Sequence, residues 1–472
     1  MTRRLLLPGI LLLLATNAFA GTGRIIILNR DAANVGFNDP TPAAPVGGNE
    51  GTTLGQQRLI ILQRAADRWS TTLDTNVDIR VRANFATLPC DDAGVVLAQA
   101  SASSWHANFP GAPRQDVWYP AALANKLAGV DLKSTDDDIA TTFNLALDGA
   151  TCLGDRGWYY GFDGEEDTDT WLFSVALHEI GHGLGMSGYS QPDFVQNRPS
   201  VYDLHVYDIT AGRRWDQMTS EERRVSRTNT GNLVWSGPNV TAKAPTVLEP
   251  LTTLTITEPS PARNYQFGTA SFGPPVNRAT IAGSVVPAFD AMNDEGPTAT
   301  DGCTTYVNAN DVSGKIALVD RGTCTFAEKA LMAQAAGAIG VILADNRAST
   351  CSAPPSMGGS EPNVRIPIVS VTQADGKAIR DQVASATVTA TLTRDGSLLA
   401  GATRPGYVRL YAPCEFEGGS SIYHWDTVAS PNLLMEPSVN SDLRDSLDLS
   451  LYQMMDIGWT LPARTGRRYV RR

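Results

Sequence analysis

The chain reads as an α+β protein that carries a second, β/α unit, and three observations predict this. Residues 57–85 join an apolar stripe of helical period to a stretch that alternates apolar and polar side chains. Residues 171–188 form an apolar run with two histidines four apart, ending in glycines. Residues 314–346 hold two apolar runs bounded by glycines, with an amphipathic segment between them. At 472 residues the chain is long enough for two or three domains with substantial cores.

The start of the chain has the pattern of a secretory signal peptide over residues 1–20. Arg3 and Arg4 precede the apolar run Leu5 to Ala15, and Ala18-Phe19-Ala20 offers small residues for cleavage. That run is too short to span a bilayer comfortably. No later segment approaches the roughly 20 apolar residues a membrane helix needs, so a secreted protein, extracellular or periplasmic, is expected. The net charge is −11 and the basic residues form no long run before the terminus, which argues against nucleic acid as a partner. The tail "LPARTGRRYVRR" reads as a frayed basic end over residues 463–472. Six cysteines in an exported chain, none in a CxxC pair, predict three disulfides; the pairing favoured by proximity is Cys90–Cys152 and Cys303–Cys324, leaving Cys351–Cys414.

The elements follow in order. "QRLIILQRAADRWS" (57–70) places Leu59, Ile60, Leu62, Ala65, Ala66 and Trp69 on a helical stripe, and "VDIRVRANF" (77–85) alternates as a half-buried strand. "ALANKLAG" is helical, and "WYYGF" (158–162) is an aromatic strand. The acidic run "DGEEDTDT" (163–170) sits where Thr168, Asp169 or Thr170 can cap the helix that follows; calcium binding is the alternative for these carboxylates. Pro, Thr, Ser and Ala then dominate from Pro245 to Pro297. Beyond them lie strand "GKIALVDRG" (314–322), helix "FAEKALMAQAAGA" (326–338), strand "IGVILADN" (339–346), strand "IPIVSVT" (366–372), a helix from Gln373 to Val383 and strand "ATVTATLTR" (386–394).

The chemistry is concentrated in "WLFSVALHEIGHGLGMSGYS" (171–190). On a helix, residues i and i+4 share a face, so His178 and His182 can offer imidazole nitrogens to one Zn2+ ion about 2.0–2.1 Å away. Glu179 then lies beside the metal, placed to take a proton from a zinc-bound water attacking a carbonyl. The bland alternative is a chance five-residue pattern on a buried helix. Only five histidines occur in the chain, which weighs against it. Gly183 to Gly188 also satisfies GxGxxG, but it ends a helix instead of opening one after a strand, so dinucleotide binding is rejected.

A catalytic zinc usually has three protein ligands and one open position. Asp193, Asp203, His205 and Asp208 are local candidates for the third, and His424, in "GGSSIYHWDTVASPNLLMEPSVN" (418–440), is a distant one.

Two resemblances order these alternatives. "GKIALVDRGTCTFAEKALMAQAAGAIGVILADN" with "IPIVSVTQADGKAI" resembles a protease-associated (PA) domain. The HExxH segment, with Gly185 where the extended metzincin pattern HExxHxxGxxH has its glycine but Gly188 where that pattern has its third histidine, is similar to the leishmanolysin branch of the metzincins. In that branch an insertion separates the second and third histidines. The resemblance implies that His178, His182 and His424 are zinc ligands, that Glu179 is the general base, and that Met435 in "LLMEP" is the floor beneath the metal. "LSLYQMMDIGW" (449–459) likewise looks like the family's closing helix. The chain departs from the family in having no long segment between residue 21 and the first helix and no inhibitory cysteine there.

The implied architecture is a metzincin-like protease domain, with a mixed sheet and an active-site helix, over residues 21–250 and 401–462. A PA-like domain occupies 251–400 between those parts. The implied function is a secreted zinc-dependent endopeptidase acting on protein or peptide substrates. The rival from another class is an exported zinc-containing binding module with a protease-like fold and little turnover; Glu179 argues against it, since a structural zinc site needs no base. Hydrolysis of another carbonyl or ester is a third reading, with no GxSxG elbow to support a separate hydrolase.

Overall fold

The computed structural model describes residues 23–462 apart from 91–94, 150–151, 153–155, 167–168, 190–191, 277–280, 295, 348–353, 359–360, 440–442 and 444. The signal-peptide segment, the basic tail, Thr168 and Cys351 therefore lie outside the described residues. The architecture is mixed α/β, in two compact units. One runs to Gly185 and takes the chain up again at Ile457; the other spans Met186–Asp456.

The first unit is built on β1 (Ile25–Asn29), α1 (Leu54–Ser70), β2 (Ile79–Ala86), β3 (Ala98–Ala102), α2 (Ala121–Ala128), β4 (Ile139–Asn144) and α3 (Leu172–Leu184). Its sheet has the order β1-β2-β4-β3, with β1, β2 and β4 parallel and β3 antiparallel at the edge. Strand β2 alternates strictly: Ile79, Val81, Ala83 and Phe85 are buried while the residues between them are at least partly exposed. Helix α1 starts three residues before the expected point because the Thr53 side chain accepts from Gln56 N–H.

The buried stripe of α1 also differs from the expected one. Leu59 and Ile60 are exposed, at 37% and 38%, whereas Arg58, Ile61, Leu62, Ala65, Ala66 and Trp69 are buried. Spacings of three and four run 58-61-62-65-66-69, which puts a guanidinium on the inner face. Arg58 can sit there because it is fully engaged: Nε donates to Tyr160 Oη at 3.0 Å, Nη1 to Gly36 O at 2.8 Å, and Nη2 to Asp148 at 2.7 Å. The same cluster shortens the aromatic strand expected over 158–162. Only Trp158–Tyr159 pair, with Thr170–Trp171, and Tyr160 turns its hydroxyl to Asp148.

In the second unit, β5 (Val206–Asp208) and β6 (Leu233–Trp235) belong to a small antiparallel sheet. The larger sheet draws on β7 (Pro250–Glu258), β8 (Ile281–Pro287), β9 (Ile316–Asp320), β10 (Gly340–Ala344), β11 (Ile368–Val371) and β12 (Thr389–Leu399). Their order is β7-β12-β8-β9-β10-β11, with short edge strands Arg263–Tyr265 beside β7 and Gly268–Thr269 beside β11. Strands β8 to β11 are mutually parallel and the other pairs antiparallel. The parallel core strands read "IALVD", "GVILA" and "IVSV" and are buried almost throughout, as strands covered on both faces must be.

Helix α4 (Phe326–Ala335) sets Ala330 and Ala333 into the cluster containing Val319, Val341 and Leu343. Helix α5 (Gln373–Val383) sets Ile379 into the cluster on the other face, with Leu318, Ile342 and Val369. Both helices begin where their sequences predict, at Thr325 with a reciprocal Glu328 capping box and at Thr372. The unit is completed by β13 (Val408–Arg409), which joins β6, and by α6 (Asp448–Ile457). Cys90–Cys152 and Cys303–Cys324 are disulfides, as the sequence predicts. Cys414 is also disulfide-bonded; its expected partner Cys351 lies outside the described residues.

Candidate metal centre

Helix α3 carries the motif on a nearly all-apolar body, with Leu172, Phe173, Val175, Ala176, Leu177 and Ile180 all buried. Trp69 Nε1 of α1 donates to Leu177 O at 3.0 Å. Gly183 lets the helix press on β4, since a Cβ there would lie 2.2 Å from Ile139 Cγ2. Gly185, at φ +134°, ends the helix in a backbone conformation that side chains disfavour, and a Cβ would lie 2.6 Å from Ile457 Cδ1. Trp459 Nε1 then donates to Leu184 O at 3.0 Å, fixing the helix end.

The expected capping of α3 by Asp169 or Thr170 does not occur. Its N-cap is Trp171, with no side-chain cap. Asp169 accepts from Gly157 N–H instead, and Thr170 is taken up in the short pairing with Trp158.

His178 and His182 are brought together as i, i+4 geometry dictates, Nε2 to Nε2 3.0 Å. One ion at about 2.0–2.1 Å from each nitrogen can bridge that gap, and paired imidazoles suit zinc, copper, iron or nickel over calcium or magnesium. Glu179 is 6% exposed, and its Oε2 has no hydrogen-bond partner among the described residues. Burial alone pushes its carboxyl up to about 8. A cation on the flanking imidazoles would draw the pKa back down and leave the carboxylate a competent base.

Gly188, where the metzincin pattern has its third histidine, lies in the second unit and has no room for a side chain. A Cβ would lie 2.9 Å from Tyr423 Oη and 3.4 Å from Asp203 Oδ1, and its N–H donates to Tyr423 Oη. The local alternatives are each occupied elsewhere. Asp203 accepts from Ser200 N–H and Oγ at 2.7 Å. His205 stacks on Trp235, centroids 5.0 Å apart. Asp208 accepts from Ser226, Asn229 and Ala211. Asp193 is exposed, 3.9 Å from Arg224.

His424 is buried in the second unit, and its Nδ1 donates to Ser420 O at 2.6 Å. A ring that donates from Nδ1 carries its lone pair on Nε2, the tautomer a metal ligand needs. Met435, 1% exposed, is tied to the same segment: its carbonyl accepts from Trp425 N–H at 2.8 Å. Sequence reasoning missed Tyr202 and Tyr423; the Tyr202 hydroxyl donates to Ile422 O at 2.8 Å, and its ring packs on Tyr423 with centroids 5.6 Å apart. Their only signal was position within "VYDLHVYD" and directly before His424.

Comparison with known proteins bears chiefly on the larger sheet. The PA domain family profile matches residues 281–379. Probable leucine aminopeptidase 2 of Aspergillus fumigatus is 31% identical over 29% of this chain and 25% of its own. Aminopeptidase YwaD of Bacillus subtilis is 43% identical over 15% of each chain. ER degradation-enhancing alpha-mannosidase-like protein 3 of Homo sapiens is 37% identical over 18% of this chain and 10% of its own. This chain thus spans a quarter or less of the length of these curated relatives, and their names differ in activity, so the shared stretch does not carry one activity. Among solved structures, a zinc aminopeptidase from Bacillus subtilis aligns over 33% of this chain and 36% of that one, with 25% identity and a TM-score of 0.22.

Proposed function

We propose that the protein is a secreted zinc-dependent endopeptidase of metzincin type, with His178, His182 and His424 as ligands and Glu179 as general base. The observation that carries the reading is that His178 and His182 on one helix face hold their Nε2 atoms 3.0 Å apart, beside a buried Glu179. Three neutral imidazoles would hold zinc and leave room for one further ligand, and an open position distinguishes catalytic from structural zinc. The orphaned Glu179 Oε2 supports the same reading, because a buried carboxylate oxygen without a partner is costly unless something polar meets it in use.

Zinc, when bound, supplies Lewis acidity to the scissile carbonyl and to a water molecule. Glu179 Oε2 takes the proton of the attacking water and passes it to the departing amide nitrogen. Ser420 O holds the His424 ring in its ligating tautomer. The leishmanolysin resemblance is supported by the glycine break at 185 and by the Met435 carbonyl bound to the residue after His424. The PA-like unit, proposed as an insertion over residues 251–400, serves substrate capture or controls access. Disulfides accord with an extracellular or periplasmic location, and among the described residues no helix is long and apolar enough to cross a membrane.

The test is zinc stoichiometry together with cleavage of casein and of an internally quenched peptide blocked at its N-terminus. One zinc per chain, chelator-sensitive cleavage of both substrates, and loss of zinc in His424→Ala are expected. Cleavage confined to peptides with a free N-terminus would replace endopeptidase by aminopeptidase. Full zinc occupancy in His424→Ala would remove His424 from the ligand set.

A further inference from the structure

The backbone just before His424 is held in a conformation its side chain disfavours. Ile422 sits at φ +80° and is 1% exposed. A β-branched residue in the left-handed region is an outlier that persists only where its surroundings over-determine it, and such outliers gather at functional sites.

The surroundings of Ile422 are specific. Its N–H donates to Tyr411 O at 2.7 Å. Its carbonyl accepts from Tyr202 Oη at 2.8 Å. Tyr202 is fully buried, and its hydroxyl in turn accepts from the Gln453 side chain on α6. Tyr202 also packs on Trp235, ring centroids 4.8 Å apart, and on Tyr423, 5.6 Å apart. A line of hydrogen bonds therefore runs from α6 through Tyr202 to the peptide bond that links Ile422 to Tyr423, one residue before His424.

From this we infer that Tyr202 is a positioning residue for the metal centre: its hydroxyl locks Ile422 in the left-handed conformation that aims His424. Without that bond Ile422 relaxes to negative φ, the following peptide turns, and His424 Nε2 leaves its place. Tyr202 touches neither substrate nor metal and acts only through the backbone. The inference rests on His424 being a ligand, as proposed above.

A merely structural role for Tyr202 and a positioning role separate in a double-mutant cycle read by zinc affinity. Each full-length protein is stripped of metal and titrated with zinc against a chromophoric chelator. Tyr202→Phe keeps the ring and removes only the hydroxyl. It should weaken zinc binding roughly 10-fold or more, as loss of an outer-shell partner does.

Ile422→Gly removes the preference that the hydroxyl opposes, because glycine adopts positive φ without steric cost. In an Ile422→Gly background the same Tyr202→Phe change should therefore weaken zinc binding only about twofold. Equal losses in the two backgrounds, or no loss in Tyr202→Phe alone, would overturn the positioning role. His424→Ala is measured alongside. If it binds zinc as the parent does, the ligand assignment itself fails and the role of Tyr202 falls with it. If His424→Ala loses zinc while Tyr202→Phe does not, only the role of Tyr202 is overturned.

Discussion

The helix that carries His178 and His182 and the irregular segment that carries His424 present the same chemical group by opposite means. On α3 the two imidazoles are neighbours because of the helical period, and no bond outside the helix is needed to set their spacing. At His424 nothing is periodic. The ring is aimed by Ser420 O, and the backbone before it by Tyr202 and Tyr411 around a left-handed isoleucine. The first device follows from local sequence, whereas the second depends on partners up to 220 residues away. Substitutions should therefore act on the two regions in different ways.

The largest effect is expected on the helix. Glu179→Ala should lower proteolysis by roughly 10²–10⁴-fold, the usual worth of a general base, with zinc content unchanged because the residue binds no metal. Near-parental turnover in a casein assay would break the assignment of a base to the regular element.

Gly188→His rebuilds the contiguous metzincin pattern and asks whether a local ligand can replace the distant one. The structure predicts that it cannot. The new side chain would start 2.9 Å from Tyr423 Oη, so a loss of about 1–3 kcal/mol from overpacking is expected. Zinc should not return when it is combined with His424→Ala. Urea unfolding and metal content measure both, and recovery of stoichiometric zinc would show that a local ligand can replace the distant one.

A pH effect sharpens the comparison on the side of the regular unit. Asp138, just before β4, is buried, and desolvation pushes its carboxyl up to about 6 in spite of the Arg80 N–H that favours its charged form. The folded protein thus keeps a proton that the unfolded chain, titrating near 3.8, has already lost. This group's contribution is fully present below the unfolded pKa and is lost as pH rises through about 6, so stability falls across that window. Asp138→Asn should flatten the fall in urea midpoint between pH 4 and 7; an unchanged slope would contradict the buried proton.

The smallest effect belongs to His205. Its ring is stacked on Trp235, and although it is one of the local candidates for the third ligand, His205→Ala should leave zinc affinity unaltered. Loss of the metal in that variant would return the third ligand to the neighbourhood of the helix.

What the sequence disclosed follows the same division. Helices α1, α2, α4 and α5, strands β2, β9, β10 and β11 and the glycine break at 185 were legible because each is written in period, capping residues or composition over a short window. Arg58 misled the reading of α1: a charge on the inner face is invisible until Tyr160 and Asp148 are brought to it from 90 residues away or more. The cap of α3 was misread for a similar reason, since Asp169 has a better use holding Gly157 N–H. At the candidate site the histidines and the glutamate could be named from motif and resemblance. Tyr202 and the strain at Ile422 could not, because a left-handed isoleucine has no signature in sequence and exists only where distant side chains enforce it.

The pairing of β7 with β12 has a consequence for how the chain reaches its fold. These strands lie side by side although about 140 residues separate their paired positions. During synthesis β7 therefore leaves the ribosome long before its partner exists, and contacts so far apart in sequence form slowly. An apolar strand left waiting would be an invitation to other nascent chains. The "LTTLTITE" of this one places threonine at 252, 253, 255 and 257, so that much of its width is hydroxyl-bearing. A strand of that composition can stay hydrated until β12 arrives, and the interval in which an open edge could seed aggregation passes with little apolar surface offered to a neighbour.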